Sequence, residues 1–235
     1  MYRTLNRRVF ISLAALPAGS SIQFIAPVSA SKVSRNESVG GIRSPALGQT
    51  WVYSIYNCYN SQLLDVVKDE VVEVDNSIRT TRNSKTNANL GDEIQSGWGR
   101  LKQDSYWESV QNYEQSVPIW LNGLNVGDKE AFETYYFSGT SSFKYWLSVG
   151  VSFVGWEKVN LPLGTFETMH FEKLIRLSQY DSFRLDTVKR DSIWIAPEIG
   201  RWVVRETNGE YRVSGGKGGS IRREDNFRWQ LESWI

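Results

Sequence analysis

The sequence predicts a mainly β protein, a curved antiparallel sheet forming a half-barrel or open barrel with few short helices. Three observations predict it. Across residues 143–153 every second side chain is apolar (Phe143, Tyr145, Leu147, Val149, Val151, Phe153), with Lys144, Ser148, Gly150 and Ser152 between them. That is the period of a strand with one face in a core. Two sharp corners, Leu161-Pro162-Leu163-Gly164 and Ala196-Pro197-Glu198-Ile199-Gly200, divide the following stretch into long strands. Beyond residue 30 no helix-period run exceeds about ten residues, which leaves 86–96 and 108–116 as places for short helices.

The chain opens on an export signal at residues 1–30. Arg3, Arg7 and Arg8 precede the apolar run Val9-Phe10-Ile11-Ser12-Leu13-Ala14-Ala15-Leu16, and Val28-Ser29-Ala30 supplies small residues for cleavage. Pro17, Gly19 and Gln23 interrupt the apolar core, so it is too short to hold the chain across a bilayer. Asn6-Arg7-Arg8-Val9-Phe10-Ile11 resembles the twin-arginine motif except at Asn6, with Ser12 a further departure. Sec export fits the same segment. No cysteine lies near the cleavage point, so lipid attachment there is excluded, and the product is expected to be soluble and periplasmic.

Residues 31–47 read as a flexible polar leader, and 48–235 as a single all-β domain. Trp51, Tyr53 and Ile55 alternate along a first strand over 49–57. Residues 64–75 return as an acidic strand whose valines alternate poorly, and a bulge near Lys68-Asp69-Glu70 would restore register. Residues 76–89 hold almost no apolar side chain and read as a long connection or disordered loop. Trp98, Leu101, Tyr106, Trp107 and Val110 mark a strand or pair. Pro118 confines Val117-Pro118-Ile119-Trp120-Leu121 to an edge. The second long run, 165–177, sets Met169, Phe171, Ile175 and Leu177 on one face and Thr168, His170, Glu172 and Arg176 on the other. The third, 191–196, runs through Ile193, Trp194 and Ile195 into Pro197, and 202–205 resumes after Gly200. A glycine-rich hairpin tip at 215–219 and a strand through Phe227, Trp229 and Leu231 finish the chain.

Composition removes several kinds of chemistry. Taking away the first 30 residues removes three Arg and no acid, leaving 24 basic against 26 acidic side chains, so no overall charge draws the protein to nucleic acid. The lone Cys58, between Tyr56 and Tyr59, reads as a buried or half-buried small side chain and allows no internal disulfide. His170 lies mid-strand, far from any nucleophile-elbow pattern, and one histidine with one cysteine makes no metal or catalytic set. The acids Asp65, Asp69, Glu70, Glu73 and Asp75 are expected on a solvated face, since alternate carboxylates on a strand point apart. Gly215-Gly216-Lys217-Gly218-Gly219-Ser220 lacks phosphate-loop spacing. No enzyme activity, metal or cofactor is expected. A membrane-spanning barrel would need lipid-facing apolar bands on every strand, and 64–75 is too acidic for one.

Ten Trp and 13% aromatic residues remain to be explained, as packing of a curved sheet or as a binding surface. The strings Val154-Gly155-Trp156-Glu157-Lys158-Val159-Asn160-Leu161-Pro162-Leu163-Gly164-Thr165-Phe166-Glu167 and Trp194-Ile195-Ala196-Pro197-Glu198-Ile199-Gly200-Arg201-Trp202-Val203-Val204-Arg205 resemble bacterial exported proteins of the DUF3108 type. In these a Pro-x-Gly-Thr-Phe corner precedes one strand and a Trp/Tyr-x-x-Pro-x-x-Gly corner a later one. That resemblance implies a fold like the lipoprotein carrier LolA, an incomplete barrel around an apolar cavity.

The resulting expectation is an exported binding or carrier protein for a lipid, acyl chain or envelope glycolipid. Tyr145, Leu147, Val149, Val151, Phe153, Met169, Phe171 and Trp194 are the candidate lining residues, and Pro162, Gly164, Pro197 and Gly200 the structural corners. The alternatives are a carbohydrate-binding or carbohydrate-active envelope protein, and a structural or assembly factor that binds a protein partner.

Overall fold

The computed structural model describes residues 29–34, 41–86, 89–106, 109–122, 125–139, 141–179, 181, 183–213, 220–224 and 226–235. All but the last two residues of the export signal, and the glycine-rich tip, therefore lie outside the described residues. No helix occurs among the described residues, and the stretches 86–96 and 108–116 hold strands instead.

The strands are β1 (Ala30–Val33), β2 (Thr50–Asn57), β3 (Gln62–Val74), β4 (Ile78–Ser84), β5 (Gly91–Gly97), β6 (Arg100–Asp104), β7 (Gln111–Pro118) and β8 (Lys129–Ser138). They continue with β9 (Tyr145–Leu161), β10 (Gly164–Leu177), β11 (Arg184–Ala196), β12 (Arg201–Val213), β13 (Ile221–Arg223) and β14 (Phe227–Trp234). All pairings are antiparallel, in the order β9-β10-β11-β12-β14-β2-β3-β4-β5-β6-β7-β8, and β8 pairs back to β9 from Lys129↔Ser152 to Tyr136↔Tyr145. The sheet is thus a closed twelve-stranded barrel, not a half-barrel. β1 lies on the β9 edge that β8 does not reach, at Ala30↔Val159 to Val33↔Trp156. β13 pairs β12 outside the ring.

Closure corrects the reading of residues 76–89. β4 occupies half of that stretch, pairing β3 at Asp69↔Arg82 and β5 at Thr80↔Glu93. Its inward side chains are Thr80, Arg82 and Ser84, so the strand alternates polar with polar and shows no apolar stripe. The bulges of β3 fall at Leu64 and Val72, where the pairing with β2 and β4 skips a residue, and not at 68–70.

The long strands β9 and β10 follow their pleat. Val149↔Ile175 and Leu147↔Leu177 face inward, and Phe153 meets Phe171 with ring centroids 5.2 Å apart. Val154 is the extra residue of a bulge. Pro162 and Leu163 make the two-residue turn into β10, and residues 197–200 the turn between β11 and β12. Gly200 sits at φ +77°, and a Cβ there would stand 2.3 Å from the Arg43 carbonyl oxygen, so that corner needs glycine twice over. The Arg43 amide in turn donates to the Pro197 carbonyl, fixing residues 41–49 across this end of the barrel.

Twelve strands enclose more space than eight, so filling the barrel takes bulky side chains. The largest fully buried ones are Trp51, Trp202, Arg82, Arg201, Tyr53 and Tyr136, and Tyr53 stacks on Trp202 at 6.0 Å. The tryptophan excess is core material to that extent.

Candidate functional site

The eight candidate lining residues lie on β9, β10 and β11. Leu147, Val149, Val151, Phe153, Met169 and Phe171 are at most 2% exposed and pack in one core cluster, with Tyr145 half-buried at its edge. They do not border an open groove. The enclosed space beside Leu147 and Val149 is about 10 Å³, room for roughly one water. Carbon packs against carbon where the sequence suggested a cavity. A wider depression of about 250 Å³ opens at the barrel end between Arg43, Leu47 and Ile235, away from these residues.

Trp194 faces the other way. It pairs with His170, and both sit on the face opposite Phe171 and Ile193. The two rings stack with centroids 4.4 Å apart. Glu157 joins them: Trp194 Nε1 donates to its Oε2 at 2.7 Å, and its Oε1 lies 3.2 Å from His170 Nδ1. The connection between β7 and β8 runs beside β9 here: Gly127 N donates to Phe153 O, and Val126 reaches within 3.7 Å of where a Gly155 Cβ would stand. All three side chains of the trio are buried, so His170 is a packed clasp across β9, β10 and β11 and not a solvated face residue.

The other half of the lumen is ionic. Asp69, expected in solvent, is fully buried and bound by two guanidinium groups. Arg82 grips it through Nε at 2.8 Å and Nη2 at 3.0 Å, and Arg201 Nη2 donates to it at 2.7 Å from across the barrel. Glu93 takes bonds from Arg201 at 3.1 and 3.0 Å, from Arg82 at 3.3 Å and from Gln95 at 2.8 Å. Two carboxylates and two guanidinium groups cancel, which is what lets them sit without water. Burial alone would raise the Glu93 carboxyl, but the guanidinium groups of Arg201 and Arg82 outweigh it and hold it at about 2. Aromatic faces complete the cage, with the Arg201 guanidinium 4.0 Å from the Trp202 ring and 4.9 Å from Trp51.

A second ionic group stands above the first. Arg205 Nη2 donates to Asp191 at 2.6 Å, and the guanidinium carbon lies 3.3 Å from the Tyr106 ring centroid. Thr207 donates to the same Asp191 carboxylate, and its hydroxyl lies 2.9 Å from that of Tyr106. Burial pushes the Asp104 carboxyl up and pulls the Lys173 amine down to about 8, with Asp191 opposing the latter. Both line the 10 Å³ void.

A carboxylate clamped by arginines at about 2 is no general base near neutrality, and Lys173 faces a space too small for a substrate. Sequence reasoning missed Asp69, Arg82, Glu93, Arg201 and Arg205 as a set. The available signal was local: Arg205 and Thr207 alternate with Val204 and Glu206, an inward pattern with charge in it, and a bulge at Val203 separates them from Arg201.

The outside of the barrel is charged. Lys68, Glu133, Glu172 and Arg176 are exposed on β3, β8 and β10, where a barrel facing lipid would carry apolar bands. Among the described residues no helix is long and apolar enough to cross a membrane.

No family model matches the chain, and no curated protein does, so the resemblance to DUF3108-type proteins and LolA gains no support there. Solved structures do match. A lipoprotein candidate from Parabacteroides distasonis aligns with a TM-score of 0.51 at 16% identity, over 81% of this chain and 96% of its own. An exported-protein candidate with YmcC-like fold from Bacteroides fragilis aligns with a TM-score of 0.53 at 14% identity, over 83% of this chain and 99% of its own. The likeness establishes a shared barrel fold.

Proposed function

We propose that this chain is an exported, non-enzymatic envelope protein that binds an amphipathic ligand or partner on the outside and the ends of its barrel. The observation that carries this reading is the packing of the interior among the described residues. Apolar side chains fill one half, a neutral ion network fills the other, and the void between them has room for roughly one water. Export is supported by the Arg-led apolar segment at residues 1–30 and by the exported-protein and lipoprotein candidates that share the fold.

The test is a photoactivatable fatty acid cross-linked to the chain purified from a bacterial periplasm, with peptides mapped by mass spectrometry. Cross-links on surface and rim peptides are expected. Cross-links at Leu147, Val151 or Phe171, or none at all, would overturn the reading.

A second reading, carbohydrate binding, is favoured by one observation. Tyr135 and Trp146 are cross-strand partners on β8 and β9, 46% and 36% exposed, beside the exposed Glu133 and Arg176. Rings so placed suit stacking on sugars. Quenching of Trp146 fluorescence by envelope polysaccharide, lost in Tyr135→Ala, would favour it over the first.

A further inference from the structure

One end of the barrel carries apolar side chains that stand exposed among the described residues. Phe143, on the β8–β9 connection, is 72% exposed, and Phe183, on the neighbouring β10–β11 connection, is 69% exposed. Beyond them β11, β12 and β13 run past the ring as a short flap, since β12 exchanges β14 for β13 as its partner after Thr207. Leu185, Arg212 and Ile221 are cross-strand neighbours on one face of that flap, and Leu185 and Ile221 are 44% and 66% exposed.

Charge at this end is lopsided. Three of its carboxylates are already engaged, Glu224 with Lys189 at 2.7 Å and Arg184 at 3.3 Å, Asp186 with Arg212 at 3.3 Å and Asp181 with Arg184 at 3.6 Å, while Glu210 stands opposite Arg223 across β12 and β13. Arg222 and Arg223 are exposed on β13 and have no ion-pair partner among the described residues.

We infer that this end is a docking surface for an anionic lipid bilayer. Phe143, Phe183, Leu185 and Ile221 enter the boundary between headgroups and acyl chains, while Arg222 and Arg223 meet lipid phosphates. Apolar tips on separate connections, with arginines on the adjoining flap, suit a fluid surface, which adapts to isolated side chains without shape complementarity. Two unpaired arginines supply attraction that neutral lipid would not return. The inference rests on the reading that ligands meet the outside of the barrel. The two fail separately, because surface cross-links that spare residues 183 and 221–223 leave that reading standing and remove only this docking surface.

The experiment is co-sedimentation of the mature chain with phosphatidylglycerol-containing vesicles and with pure phosphatidylcholine vesicles. The chain is expected to pellet with the first, less with the second, and less again as salt rises. Phe183→Ser and, separately, Phe143→Ser should each weaken pelleting by about tenfold, the effect of leaving one large apolar side chain in water. Arg222→Glu combined with Arg223→Glu should weaken it at least as much and flatten the salt dependence. Val126→Ser, at the opposite end and 72% exposed, should change nothing. All these side chains are exposed, so unchanged melting temperatures certify folding. Failure of the native chain to pellet, pelleting indifferent to the tip variants, or a loss matched by Val126→Ser would each overturn the docking surface. So would native dimers that Phe183→Ser dissociates, since a second copy would then cover these tips.

Discussion

The two sides of the barrel solve one problem in opposite ways. Along β9, β10 and β11 the lumen is filled by Leu147, Val149, Val151, Phe171 and Ile193, whose burial is favourable one side chain at a time. Along β3, β4 and β5 it is filled by Asp69, Arg82, Glu93 and Gln95, none of which is tolerable alone. The apolar side fails gradually when cut. The ionic side stands or falls as a unit, because every charge there is satisfied by two others, and Arg201 reaches across the lumen to close the set.

That contrast can be broken most sharply at Asp69. Asp69→Asn leaves two buried guanidinium groups short of a counter-charge and should cost about 3–5 kcal/mol in urea unfolding. Phe171→Ala on the apolar side should cost a similar ~3–5 kcal/mol through the cavity it leaves. The difference appears in combination. Replacing Asp69, Arg82, Glu93 and Arg201 together by Leu or Met should recover most of the loss, whereas adding Val151→Ala to Phe171→Ala should deepen it. Recovery absent from the fourfold variant would mean that the network does more than balance charge.

Gly200→Ala should come next, at ~2 kcal/mol or more, since it combines a left-handed φ with a clash at the Arg43 carbonyl. It tests whether the corner or the lumen holds residues 41–49 in place. A calorimetric scan that finds no change would say that these residues move freely.

The buried charges on both sides should respond to pH, Glu93 on the ionic side and Lys173 among the apolar side chains of β10. Glu93 sits near 2 when folded against an ordinary 4.5, so its stabilisation is complete above pH 4.5 and lost as pH falls towards 2. Lys173 has the opposite history. Its folded value of about 8 lies below the ordinary 10.5, so burying its charge opposes folding below pH 8, and stability should rise between about 8 and 10.5. Urea midpoints across pH check both, and Lys173→Met should remove the alkaline rise without touching the acid loss.

The smallest effects belong to the rim. Phe143→Ser and Phe183→Ser should shift stability by less than about 0.5 kcal/mol, because their side chains already stand in water. Larger shifts would show that they pack against the chain and are not free to meet a bilayer.

The same contrast explains what was legible. β9 to β12 could be read from residues 143–205 because their inward positions are apolar at period two and Pro162, Pro197 and Gly200 punctuate them. β4 could not, because Thr80, Arg82 and Ser84 alternate with Arg79, Thr81 and Asn83, polar facing polar. Missing that strand left the sheet short of the partners it needs to close, and an unclosed sheet around apolar residues looks like a carrier with a groove. Asp69 was misplaced for the same reason: its partners lie 13 and 132 residues along the chain, and no local pattern announces a charge that is cancelled from across the lumen. The exposed tips at Phe143 and Phe183 were hidden differently. Phe143 continues the alternation of β9 in sequence, yet the strand begins at Tyr145 and leaves Phe143 outside.

The central claim is that this barrel is solid, and xenon tests it most directly. In crystals of the mature chain pressurised with xenon, the account predicts no bound atom inside the ring, since a void of about 10 Å³ admits none. A xenon site between Leu147, Val151 and Phe171 would reveal the hollow that the packing denies, and would return the ligand to the interior.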